Sequence, residues 1–142
     1  MKILIAADGS PYTRAAAQYV ANHAGLLKEA PEVRLMHVHA ALPYTKSVSK
    51  KAIDAYYKEE SVKALEVAEK ELAKAGVKFT STWAAGDAAE QIARYAKAEG
   101  IDLIVTGTRG HGALASIALG SVTNKFLALT SIPMLVIPTG KG

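Results

Sequence analysis

The chemistry-bearing residues of this chain concentrate in one stretch, Gly107-Thr108-Arg109-Gly110-His111-Gly112, which leads on to Gly120-Ser121. Glycine backbones can approach an anion closely and turn successive N–H groups toward it. A helix beginning at the end of such a loop adds unpaired N–H donors and a positive dipole end. The loop directly follows the apolar run Asp102-Leu103-Ile104-Val105-Thr106, so strand, glycine loop and helix come in the order a phosphate cradle requires. Each glycine alone has a plainer reading as a tight turn or helix start. The full spacing, with Gly107, Gly110, Gly120 and Ser121 at fixed intervals, favours phosphate binding. The Ser121 hydroxyl either caps the last helix or donates to a phosphate, and Thr123 and Asn124 add donors in the first turn. Arg109 and His111 project from the loop, as ligand contacts or as solvent-facing residues.

A second candidate is Asp8, in Ala7-Asp8-Gly9-Ser10 at the end of the first apolar run. It either turns the chain into the following helix or binds a ribose hydroxyl or a nucleotide-bound divalent metal. Val38 ends another apolar run, and its backbone could meet a base edge.

Other chemistries find little support. There is no G-x4-G-K-[ST] loop, no G-x-G-x-x-G after the first strand, no H-E-x-x-H and no G-x-S-x-G elbow. His37 and His39 share a strand face, a weak metal signal without a third ligand. Cysteine is absent, so there is no disulfide framework or thiol nucleophile.

The elements that must position these residues follow from hydrophobic pattern. Apolar runs predict strands over Lys2–Ala7, Val33–His39, Val77–Trp83, Asp102–Gly107 and Pro133–Ile137. The first, fourth and fifth are almost continuously apolar, as in a parallel sheet covered on both faces. The third alternates at first, which suggests an edge. Helices are expected from Ser10-Pro11 to Leu27, over about Ala52–Ala75, from Asp87 to about Ala98, and from Gly120-Ser121 toward Pro133. Leu65, Ala68, Leu72 and Ala75 mark the buried face of the second helix. Alternation of strand and helix predicts an open, doubly wound five-stranded parallel sheet with helices on both faces, α/β and Rossmann-like. If the first and fourth strands are neighbours, Asp8 and Gly107 flank one crevice at the strand ends. Ala41–Lys51 reads as a polar, mobile loop.

The chain has 142 residues and a formal net charge of +4, which suits one domain over 1–142 with a mildly basic, solvated surface. No aromatics interleave with Lys46, Lys50 and Lys51, so no nucleic acid partner is expected. No apolar run approaches the roughly 20 residues that span a bilayer, and Met1-Lys2 leads straight into Ile3-Leu4-Ile5, so neither membrane nor leader is expected. The short apolar run Ile132–Ile137 is suited to an edge that pairs with a second copy.

The spacing G-x2-G-x9-G-S over Gly107–Ser121 resembles the nucleotide-binding signature of the universal stress protein family. Ile3-Leu4-Ile5-Ala6-Ala7-Asp8-Gly9-Ser10, Leu35-Met36-His37-Val38, Gly86-Asp87 with Ile92, and Pro133-Met134-Leu135-Val136-Ile137 are similar to that family's other segments. His39, where an apolar residue is common, and Thr108 are mild departures. The resemblance implies a cytoplasmic, homodimeric stress-response protein with the adenine nucleotide alpha hydrolase-like variant of the fold. It implies ATP as ligand, with Mg or Mn. It assigns Asp8 and Val38 to the nucleoside end and Gly107 to the ribose, and Gly110, Gly120, Ser121, Val122 and Thr123 to the phosphates, beside Arg109. No catalytic residue is assigned, so regulation or sensing is the leading expectation. A slow ATPase or phosphotransferase, and a dimeric interaction module without nucleotide, are the alternatives.

Overall fold

A computed structural model describes residues 1–27, 29–42, 48–107 and 121–138. The elements run β1 (Lys2–Ala6), α1 (Pro11–His23), a 3-10 turn (Ala24–Leu26), β2 (Glu32–His39), α2 (Lys50–Lys74), β3 (Phe79–Ala85), α3 (Ala88–Glu99), β4 (Leu103–Gly107), α4 (Ser121–Leu129) and β5 (Met134–Ile137). The strands form one five-stranded sheet in the order β3-β2-β1-β4-β5. Each neighbouring pair is parallel. The chain winds outward from β1 to β3, then crosses to the other side of β1 for β4 and β5. The order reverses between β1 and β4, and β3 and β5 are the edges, as the alternating and short runs suggested.

Strand residues sort by parity into two cores. Leu4, Ala6, Met36, Val38 and Ile104 pack with Ala89, Ile92 and Ala96 of α3 and Phe126 of α4. Ile3, Ile5, Val33, Leu35 and Val105 pack with Ala16, Ala17 and Val20 of α1 and Leu65, Ala68 and Leu72 of α2. Two covered faces explain why β1 and β4 read as unbroken apolar runs.

Local chemistry sets the ends of the helices. Ser10 caps α1 by accepting from the Thr13 N–H at 3.3 Å, with Pro11 in the first turn. Asp87 caps α3 by accepting from the Glu90 N–H at 3.0 Å, and Gly100 closes it with φ 64°. Helix α2 starts earlier than the apolar spacing indicates, because Ser49 accepts from the Ala52 N–H at 3.1 Å and caps it. The polar stretch after β2 is therefore shorter than expected, and 43–47 lie outside the described residues. At its other end Ala75 is an exposed C-cap rather than part of the buried face. Gly76, at φ 72°, then leads to Val77, whose N–H bonds back to the Leu72 carbonyl at 3.0 Å. That turn delays β3 to Phe79. The strand runs past Trp83 because pairing with β2 continues through Val38↔Ala84 and His39↔Ala85.

Candidate functional site

The β1–β4 register Ile5↔Val105 sets Ala7, one residue before Asp8, level with Gly107. Asp8 and Gly107 thus flank the point where strand order reverses, which is where open parallel sheets take their ligands. The expected adjacency of the first and fourth strands holds.

Asp8 is partly buried and does identifiable structural work. Its Oδ1 accepts from the Ser10 N–H at 3.0 Å and from the Thr13 hydroxyl at 2.8 Å. Thr13 Oγ1 in turn accepts the Asp8 N–H at 2.9 Å. This closed set fixes the turn into α1 and gives the carboxylate a defined direction. Gly9 makes the turn possible: it has φ +80°, and a Cβ there would lie 3.1 Å from Ala64 Cα in α2.

Gly107 ends β4 against the first turn of α1. A Cβ at this position would lie 2.6 Å from Tyr12 Cβ and 2.7 Å from the Tyr12 carbonyl oxygen. Glycine is required here by packing, whatever ligand binds nearby. Val38 is 1% exposed, with its side chain in the α3-side core. Only its backbone, near the end of β2, is available to a ligand.

Ser121, Val122 and Thr123 form the first turn of α4. This helix returns the chain from the carboxyl end of β4 to the amino end of the parallel β5. Its amino terminus therefore lies at the same end of the sheet as Asp8 and Gly107, and its dipole favours an anion there. Phe126, fully buried, anchors α4. Lys125 ties it to α3 through Asp87 at 3.1 Å and Glu90 at 3.6 Å. Arg109, Gly110 and Gly120, with His111, lie outside the described residues.

The two histidines take separate partners. Nδ1 of His37 lies 2.6 Å from the Ala7 carbonyl oxygen. A carbonyl only accepts, so Nδ1 carries the proton. Nε2 of His39 lies 2.6 Å from Ser61 Oγ, and the Ser61 hydroxyl is spent on the Tyr57 carbonyl at 2.6 Å, so Nε2 is the donor. The imidazoles meet edge to face at 4.4 Å, and His39 also stacks on Tyr57 at 4.7 Å and abuts Trp83 at 5.6 Å. Burial, followed by the neighbouring His37, holds the His39 pKa below the usual histidine value. Nothing in the sequence singles out Tyr57, Ser61 or Trp83. The available signal was the shared face of His37 and His39, together with a serine four residues after Tyr57 on α2. Among the described residues no group of three or more His, Asp or Glu could hold a metal. None of their helices is long and apolar enough to cross a membrane.

Fold and crevice together define an α/β protein of the doubly wound, Rossmann-like class. Residues 1–138 match the universal stress protein family, and the chain belongs to that family. It is 34% identical over 146 residues to the universal stress protein YxiE of Bacillus subtilis, covering 96% of this chain and 97% of that one. The solved structure of MJ0577, a universal stress protein of Methanocaldococcus jannaschii, superposes with a TM-score of 0.77 at 29% identity, over 99% of this chain and 97% of the other. Two more distant structures share the fold. One is a universal stress protein family protein from Arabidopsis thaliana with AMP bound, with TM-score 0.66 and 16% identity over 99% of this chain and 93% of that one. The other is a universal stress protein in complex with cAMP, with TM-score 0.68 and 18% identity over 96% of both chains.

Proposed function

We propose that this universal stress protein binds an adenine nucleotide, ATP with Mg or Mn, at the carboxyl ends of β1 and β4, and acts as a nucleotide-dependent regulator or sensor in the stress response. The observation that carries the reading is the juxtaposition of Asp8 and Gly107 across the strand-order reversal, with the amino end of α4 at the same end of the sheet. Bound AMP and cAMP in two proteins of the same fold support an adenine ligand.

The donor set suits such a ligand. A partly exposed carboxylate at a strand end can accept from ribose hydroxyls or face a nucleotide-bound cation. The first-turn amides of Ser121, Val122 and Thr123 suit phosphate oxygens, as do the backbone groups of Gly110 and Gly120 and the guanidinium of Arg109. The Val38 backbone would meet the base, and Gly107 would lie beside the ribose. The residues supply means to hold a nucleotide, and none is assigned to breaking one.

We further propose a cytoplasmic homodimer paired through β5. That strand is an edge, with Met134, Leu135 and Val136 only partly covered.

The test is calorimetric titration of the full chain with ATP and magnesium. A Kd in the micromolar range, corresponding to about 8 kcal/mol, is expected. Gly120→Val, which places a side chain in the phosphate path, should abolish it. Unchanged binding by that variant sinks the assignment. Chromatography of the nucleotide after incubation separates a holder, which returns ATP intact, from a slow ATPase.

A further inference from the structure

We propose that His37 is a positioning residue of the crevice: its imidazole clamps the Ala7–Asp8 corner of β1 onto β2 and so sets the direction of the Asp8 carboxylate. The proposal rests on the nucleotide reading above and assigns His37 a role within that site.

The corner is held from both strands. The Ala7 N–H donates to the Met36 carbonyl at 2.8 Å, continuing the β1–β2 ladder one residue beyond β1. The Ala7 carbonyl, which begins the peptide unit joining it to Asp8, accepts from His37 Nδ1 at 2.6 Å. The N–H of the same peptide unit, that of Asp8, is taken by Thr13 Oγ1, and the carboxylate by Ser10 and Thr13. Rotation of the Ala7–Asp8 peptide would redirect the carboxylate; the Thr13 side chain opposes it from α1, and the His37 bond opposes it from β2.

His37 is itself held in place. It is partly buried, and His39 packs edge to face against it at 4.4 Å. His39 is fixed in turn by Ser61 of α2. A chain of contacts therefore runs from α2 through β2 to the Asp8 corner. His37 also directly precedes Val38, so one side chain ties together the two described strand ends assigned to the nucleoside. A partly buried imidazole N–H needs an acceptor, and the one His37 takes is the carbonyl of the residue that leads into Asp8.

The test compares His37→Leu, which keeps bulk but has no donor, with His37→Asn, whose side-chain amide can place an N–H where Nδ1 stands. Two readouts are taken on the full chain. Amide hydrogen exchange without nucleotide reports the corner, through the hydrogen-bonded N–H groups of Ala7, Asp8 and Ser10. Titration with ATP and magnesium reports the site. In His37→Leu these amides should exchange about tenfold faster while β4 amides keep their protection, and ATP affinity should fall about tenfold. His37→Asn should restore both. If His37→Leu does not fold, His37→Gln takes its place, since its amide reaches the Nε2 position rather than Nδ1.

Unchanged exchange at the corner overturns the proposal. So does a loss of protection spread evenly over the sheet, which marks a purely structural residue. Faster corner exchange with undiminished ATP affinity overturns the positioning role. Absence of ATP binding in the unaltered protein overturns the nucleotide reading itself, and the exchange pattern then decides separately whether His37 holds the corner.

Discussion

Gly107 and Tyr12 are in such close approach that a Cβ on Gly107 would stand 2.6 Å from the Tyr12 Cβ and 2.7 Å from its carbonyl oxygen. The end of β4 is thus pressed onto the first turn of α1, whose entry Asp8 shapes. The same glycine that would sit beside a ribose is needed to let helix and strand meet. Gly107→Ala should therefore destabilise the ligand-free protein by about 1–3 kcal/mol through overpacking. Urea denaturation without nucleotide measures this. A glycine reserved for ligand approach would leave that value unchanged.

The buried His39 predicts a pH dependence. Its folded-state pKa lies below the ordinary value of 6.5, chiefly because burial disfavours the imidazolium and secondarily because of His37. Between those two pKa values the unfolded chain binds more protons than the folded one. Stability should therefore be intact above about pH 6.5 and fall as pH drops through the lowered value. The groups facing His39 include Tyr57 and Glu60 of α2 and the neutral Trp83 of β3. The carboxylate of Glu60 only partly opposes the shift. Thermal melts from pH 8 to pH 5 should show the decline, and His39→Gln should flatten it. Trp83 is the only tryptophan and lies 5.6 Å from the His39 ring, so its fluorescence should be quenched over the same pH range. An unaltered slope in His39→Gln would assign the titration elsewhere.

Asp87 offers a cleaner separation of two small effects. It caps α3 through the Glu90 N–H and pairs with Lys125 of α4. Asp87→Asn keeps a capping acceptor and loses only an exposed ion pair, so stability should change by less than about 1 kcal/mol. Asp87→Ala loses both and should cost about 1 kcal/mol or slightly more. Denaturation midpoints of the two variants check the order, and equal losses would show that the ion pair rather than the cap dominates.

Much of this architecture is legible because it rests on local rules. Ser10, Asp87 and Gly100 act as the caps their types indicate, and the parity of apolar residues in β1 and β2 sorts directly into the two cores. What is not legible depends on contacts between distant segments. The start of α2 is set by Ser49, which sits in a polar stretch where a cap has no apolar run to mark it. The ends of β3 follow from the Gly76–Val77 turn and from pairing with His39, neither of which is a property of β3's own residues. Asp8 was open to a turn reading or a ligand reading, and the turn bonds to Ser10 and Thr13 add a structural task without removing the other. His37 and His39 read from the sequence only as two histidines on one strand face, a weak metal signal without a third ligand. The partners that define their roles are hydrogen-bonding groups 30 and 22 residues away in the chain, which spacing does not reveal.

The two tasks of Asp8 can be separated by charge. Asp8→Asn retains an oxygen able to accept from the Ser10 N–H and the Thr13 hydroxyl, so the turn into α1 should persist with a stability loss of about 1 kcal/mol or less. It removes the negative charge that a ribose hydroxyl or a nucleotide-bound cation would use, so affinity for ATP with magnesium should fall about tenfold or more. Asp8→Ala removes both functions and should lose stability by a further 1–2 kcal/mol, roughly the cost of a lost cap. Parallel urea melts and calorimetric titrations resolve the pattern. Equal ATP affinity in the unaltered protein and Asp8→Asn would confine Asp8 to its turn and leave the nucleoside end to the backbone of β2.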